Sequence, residues 1–175
     1  REKAALRDVF SQLNTYLITK LRDDKNVVLI IDEAQNLKPS VLEEVRMLSN
    51  LETEREKLIQ IVFLGQPELK KKLALPQLEQ LRQRIAVYFH FSPLSKEDAL
   101  AYIRYRLTVA GAGDREIFSD HALELAAEFS GGVPRIINQI CDSALLSGYV
   151  RDIKIIDADL MEEVISESPL RQISG

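Results

Sequence analysis

The sequence has one cysteine in 175 residues, no tryptophan, and no run near the eighteen or so apolar residues that a membrane span needs. The lone Cys141 cannot close an intramolecular disulfide, and no zinc-ligand set surrounds it. It reads as a small buried helix residue in a chain suited to a reducing compartment such as the cytoplasm. An excess of charge of one sign is lacking as well. Twenty-three Lys and Arg face 27 Asp and Glu, and the net charge of -4 argues against a protein that coats nucleic acid by bulk electrostatics. The local cluster Lys70, Lys71 and Lys72 is read as a solvated helix end. His90 and His121 have no ligand cluster about them, and are expected to be a strand residue and a first-turn helix residue. A signal-peptide pattern is missing, and Arg1 stands where an intact reading frame would have methionine, so the chain is expected to come from a longer protein.

What is present is an ordinary globular composition, 46% hydrophobic and 29% charged, at a length that can bury a core without disulfides or metals. Leu6, Phe10, Leu13, Leu17 and Leu21 recur at spacings of three and four, which predicts an amphipathic helix over 3–22. Five aliphatic residues, Val27 to Ile31, then predict a strand buried on both faces, as in a parallel sheet. Pro39 starts a helix to about residue 53. A second buried strand is predicted over 58–64, stopped by Gly65-Gln66-Pro67, and helical residues over 67–84, interrupted at Pro76. A third short strand is predicted over 86–91. Beyond Ser95 the pattern is purely helical: 95–110, 119–129, 134–149 and 157–167, broken at Gly111–Asp114 and Gly131-Gly132, with Ser95 and Ser119 at capping positions. Strand–helix alternation followed by helices alone implies an α/β core with an appended bundle, divided near Pro93.

Chemistry concentrates at the predicted strand ends. In VVLIIDEAQ an aliphatic strand runs into Asp32-Glu33, at the sheet edge where open α/β sheets bind ligands. In a phosphoryl-transfer site Asp32 would hold Mg²⁺ and Glu33 would act as general base toward the attacking water. The plain alternative is a turn after a buried strand. Gln66 closes the next strand, where a side-chain amide could hold that water or meet a terminal phosphate; the alternative there is a Gly-Gln-Pro turn. Arg82 and Arg84 end the helix before the third strand, where a cation could offset charge on a transferring phosphoryl group or could simply suit the helix dipole. Arg84, directly before Ile85, is preferred and Arg82 held in reserve. Arg135 sits in the first turn of a helix opened by Ser130-Gly131-Gly132-Val133-Pro134, from which a guanidinium could reach back to a phosphate or remain exposed.

The stretches IIDEAQNL, LEEVRMLSNLET, IVFLGQPEL, LRQRI, PLSKEDALAYIRYRL and SGGVPRIINQICDSALL, taken in this order, resemble the AAA+ ATPases of the general secretion pathway protein A family over about residues 1–165. ATPases encoded beside exopolysaccharide and exosortase loci belong to the same group, and transposition ATPases are related to it. The resemblance implies a P-loop NTPase-type, three-layer parallel α/β core over 1–93, truncated at its N-terminal side, then a helical lid over 94–167 and a tail over 168–175. It implies ATP and Mg²⁺ as cofactors, with Asp32 on the metal, Glu33 activating water, and Gln66 sensing the terminal phosphate (sensor 1). Arg84, or Arg82, would act across a subunit interface, and Arg135 from the lid (sensor 2). It further implies a homo-oligomer, ring or dimer, with secretion or envelope-assembly proteins as partners, in the cytoplasm or held at the inner membrane through other segments.

One requirement of that family is not met within these residues. No G-x-x-x-x-G-K-[ST] occurs, and Gly111-Ala112-Gly113-Asp114 lacks the lysine, the spacing and the preceding strand. The family places this loop upstream, so the expectation is that these 175 residues alone do not hydrolyse ATP while the longer protein does. The missing central strand is expected to leave an apolar gap that self-association or strand rearrangement fills. Two other readings remain: a DNA-linked ATPase regulator of the transposition or replication type, and a scaffold on the same fold that hydrolyses nothing.

Overall fold

The computed structural model describes residues 2–53, 56–113 and 115–169, with side chains from residue 8 onward. Arg1, the predicted placement of Leu6 on a helix face, Asp114 of the glycine-rich break and residues 170–175 of the predicted tail lie outside the described residues and side chains. The chain forms two compact units, Arg1–Phe89 and His90–Gly175.

In the first unit, helix α1 (Glu2–Arg22) sets Leu13, Leu17 and Leu21 along one face, and Leu17 is fully buried with Leu58 and Ile59. Strand β1 (Val28–Ile31) pairs in parallel with β2 (Gln60–Phe63), in the register Val28↔Gln60 through Ile31↔Phe63. Side chains alternate along a strand, so Leu29, Ile31, Ile61 and Phe63 share one face. That face is packed by α1 and by α2 (Pro39–Leu48), α3 (Pro67–Leu73) and α4 (Glu79–Arg84), which bury Leu42, Leu69, Leu73, Leu78 and Leu81.

Three expectations are corrected here. The strands are not buried on both faces: Val28, Ile30 and Val62 on the opposite face are 47%, 60% and 39% exposed. A layer on each side is what makes a continuous aliphatic run a buried strand, and the helices of this unit supply one layer. The run 86–91 forms no strand; among the described residues the sheet has two strands, and Val87 is 79% exposed. A β-rich sequence becomes a strand only by hydrogen bonding to a neighbour's edge, so composition could not guarantee the ladder, and His90 is correspondingly not a strand residue. Helix α2 stops at Leu48, short of residue 53, where the Ser49 hydroxyl donates to Arg46 O at 2.6 Å and an antiparallel bridge Glu52↔Lys57 takes over the chain.

The second unit contains α5 (Lys96–Val109), α6 (Asp120–Ser130), α7 (Pro134–Val150) and α8 (Ala158–Glu167). Side-chain oxygens of Ser95, Ser119 and Asp157 accept the backbone N–H three residues on, each satisfying a donor that the first helical turn leaves free. His121 stands in the first turn of α6, as expected. Ala99, Ala122, Ala126 and Ala144 are fully buried and let the helices close around Ile137, Ile140, Leu160 and Met161. A bridge not foreseen in the sequence, Phe118↔Ile156, ties the approach to α6 to the approach to α8. Among the described residues no helix is long and apolar enough to cross a membrane.

Gly131 ends α6 in a left-handed conformation, and Gly132 follows at φ 75° with its carbonyl accepting the Leu94 N–H at 2.8 Å. A Cβ on Gly132 would lie 2.0 Å from Leu94 O. Gly132→Ala should therefore destabilise this unit by roughly 2 kcal/mol or more, from strain at positive φ plus the clash, a loss that urea denaturation would register. Cys141 is buried, and burial, with a smaller contribution from Asp142, pushes its thiol up to about 12. The folded state then keeps a proton that the unfolded chain loses near 9.0, so this thiol makes stability fall as the pH rises from about 9 toward 12. Denaturation curves at about pH 8 and about pH 10.5 should show a smaller drop for Cys141→Ala than for the unaltered chain.

Candidate active site

The parallel register sets the C-terminal ends of β1 and β2 side by side. Asp32-Glu33 leave the first and Gly65-Gln66 the second. Backbone hydrogen bonds carry the pairing past the strands: Leu64 N–H donates to Ile31 O at 2.9 Å, and Ala34 N–H donates to Leu64 O at 2.9 Å. Ala34 is fully buried and begins a 3₁₀ turn, Ala34–Asn36. Lys72 of α3 reaches that turn, its Nζ donating to Gln35 O, and to Leu37 O at 2.7 Å. The expectation that Lys70–Lys72 is merely a solvated helix end therefore holds for Lys70 and Lys71, which are exposed, and not for Lys72.

Asp32, Glu33 and Gln66 are all exposed. The Glu33 N–H donates to Asp32 Oδ1 at 2.8 Å, which leaves the Asp32 Oδ2 open. Glu33 itself stands at φ 52°, ψ 36°, a left-handed conformation costing a non-glycine residue roughly 1–2 kcal/mol. Its Oε2 accepts Gln35 Nε2 at 2.5 Å, and Gln35 Oε1 in turn accepts the Gln66 N–H at 3.2 Å. Gln35 lies within IIDEAQNL, and nothing local in the sequence marks it as a functional residue. The signal available was an amide two residues past an acidic pair, which gives no hint of a bond across to the second strand.

The arginine candidates have other surroundings. Arg84, in the last turn of α4, donates from Nη1 to Ser49 Oγ at 3.3 Å, and Arg82 O accepts the Tyr88 hydroxyl at 3.4 Å. Among the described residues neither guanidinium forms an ion pair with Asp32 or Glu33. Arg135 is exposed in the first turn of α7, in the second unit. No cluster of three or more His, Cys, Asp or Glu residues able to cage a metal occurs among the described residues. A single open carboxylate oxygen on Asp32 fits Mg²⁺, which keeps most of its waters and shares phosphate oxygens.

An acidic pair and a Gly-Gln turn thus stand at adjacent parallel strand ends, with an all-helical unit next in the chain. A family model described as AAA domain matches residues 2–73. The chain has an AAA+-type fold and is similar to general secretion pathway protein A over nearly its whole length. It is 44% identical over 169 residues to General secretion pathway protein A of Aeromonas hydrophila, covering 96% of this chain and 31% of that protein. An uncharacterized HTH-type transcriptional regulator of Methanocaldococcus jannaschii is 28% identical over 155 residues, covering 86% of this chain and 37% of its own length. The chain thus spans about a third of the length of these curated relatives. Among solved structures, a mutant of Thermotoga maritima RuvB superposes with a TM-score of 0.63 at 17% identity, over 87% of this chain and 49% of that one. The T. maritima RuvB Holliday junction branch migration motor gives 0.58 at 17% identity, over 87% of this chain and 48% of that one.

Lys72 holds carbonyls at the turn that follows the acidic pair. Replacing it by methionine keeps the stem and removes the charged donor, and should cost about 1–2 kcal/mol of stability at this half-buried position, measured by chemical denaturation beside Lys71→Met, which should cost almost nothing.

Proposed function

We propose that this chain carries the water-activating and nucleotide-sensing part of an ATPase that couples ATP binding and hydrolysis to assembly or export in a bacterial secretion or surface-polysaccharide system. The observation that supports it most is the parallel register bringing Asp32-Glu33 beside Gly65-Gln66. In this reading residues 1–93 are part of the AAA+ core, 94–167 its lid and 168–175 a tail. Asp32 would hold Mg²⁺, which would supply positive charge against the phosphate. Glu33 takes the proton of the attacking water, and Gln66 contacts the terminal phosphate or that water. Arg84, with Arg82 in reserve, serves a neighbouring subunit's nucleotide, and Arg135 contacts nucleotide from the lid. These 175 residues contain no G-x-x-x-x-G-K-[ST], so this reading requires a phosphate-binding loop from elsewhere in a longer protein. The bare sheet face with Val28, Ile30 and Val62 favours an oligomer, with envelope-assembly proteins as further partners at the cytoplasmic side of the membrane.

A second reading, a DNA-linked regulator on the same fold, draws on the HTH-type relative. The chain's net charge of -4 weighs against it, since phosphate-backbone binding needs clustered cations.

ATP turnover by this chain should be compared with turnover by the longer protein of its native gene. The longer protein should release phosphate, Glu33→Gln should reduce that release by a factor on the order of 100 or more, and the 175-residue chain should release none. Sedimentation of the same samples should show self-association. An inactive longer protein, or a clean monomer, would count against the enzyme or the oligomer respectively, and salt-dependent retention of a DNA duplex would favour the regulator.

A further inference from the structure

The side chain of Gln35 spans the ends of both strands. Its Nε2 donates to Glu33 Oε2 at 2.5 Å, and its Oε1 accepts the backbone N–H of Gln66, a residue 31 positions further on, at 3.2 Å. Room for that carbonyl exists because residue 65 is glycine: a Cβ there would lie 2.7 Å from Gln35 Oε1 and 3.0 Å from Leu69 Cδ2. The main chain of this turn is fixed by other means, Ala34 N–H to Leu64 O and Lys72 Nζ to the carbonyls of Gln35 and Leu37. The amide of Gln35 is therefore not needed to shape the turn. What it joins is a carboxylate on one strand end to the backbone of the other.

We propose that Gln35 is a positioning residue for ATP hydrolysis, an amide tie that sets the Glu33 carboxylate against the Gly65-Gln66 turn; this rests on the reading of Glu33 as the group that activates water. With Oε2 engaged, Glu33 presents Oε1 to a water, and the direction of that oxygen follows the turn that carries Gln66. A glutamate released from the tie rotates about its three side-chain torsions and is aligned for only part of the time. That slows the chemical step and leaves nucleotide affinity nearly untouched.

The test is steady-state ATP turnover by the full native-gene protein, unaltered and as Gln35→Ala, Gly65→Ala and the double variant. Gln35→Ala should lower kcat about 10–100-fold, the range seen when a partner that orients a reacting group is lost, while KM for ATP changes by less than about threefold. Gly65→Ala, which pushes the amide aside, should lower kcat as well, and the double variant should be no slower than Gln35→Ala, since both cut one tie. An unchanged kcat, a loss confined to KM, or additive losses would each overturn the proposal. In parallel, ¹H–¹⁵N spectra of the 175-residue chain need no activity. Glu33→Ala should shift both the Gln35 side-chain amide and the Gln66 backbone amide, and Gln35→Ala should shift Gln66. An active protein whose signals do not move together would overturn the tie and leave the ATPase reading standing. Coupled shifts in a protein whose full-length form makes no phosphate would sink the ATPase reading, and with it the catalytic role of Gln35, while the tie itself remained.

Discussion

The Leu64 N–H donates to Ile31 O, and the Ala34 N–H donates to Leu64 O, both at 2.9 Å. Between them these two bonds extend the parallel ladder beyond four-residue strands and bring the acidic pair level with the Gly-Gln turn. A slip of either strand by one residue would turn its inward pair, Leu29 and Ile31 or Ile61 and Phe63, out to water and carry Glu33 away from Gln66. The register is held from below by the apolar face, packed on Leu17, Leu42 and Leu81, and from above by Lys72, which satisfies carbonyls that the turn cannot satisfy itself. Burial and hydrogen bonding thus converge on one arrangement of the strand ends.

The helical unit has its own core and a different way of achieving precision. Fully buried alanines bring the helices close, side-chain caps fix where α5, α6 and α8 begin, and two successive glycines at positive φ end α6 and allow the main chain to press against Leu94. Val133-Pro134 then starts α7 with a residue whose missing N–H costs nothing at that position, and Arg135 follows in the same turn.

Helices were the most legible part of the chain. Capping serines, helix-starting prolines and the Gly-Gly break mark their ends by local chemistry, and the structure follows those marks to within a residue or two over α5 to α8. The acidic pair and Gln66 were legible as strand-end residues for the same reason, an aliphatic run meeting polar residues. The strands' surroundings were not, because pairing and layering are properties of neighbours. Residues 86–91 have strand composition and no ladder, and Val28 and Ile30 have buried-strand composition and an open face. Gln35 and Lys72 escaped notice on different grounds. Each acts across more than thirty residues of sequence, and neither has a spacing that announces its partner.

Glu33 occupies a backbone conformation that its own side chain disfavours. Measured by main-chain comfort alone, position 33 would suit glycine or asparagine, which enter the left-handed region readily. On the proposed role of Glu33, fold and chemistry ask for different residues at one site, and the fold concedes. A carboxylate held there at the expense of main-chain stability is what the proposed water-activating role of Glu33 would ask of the fold.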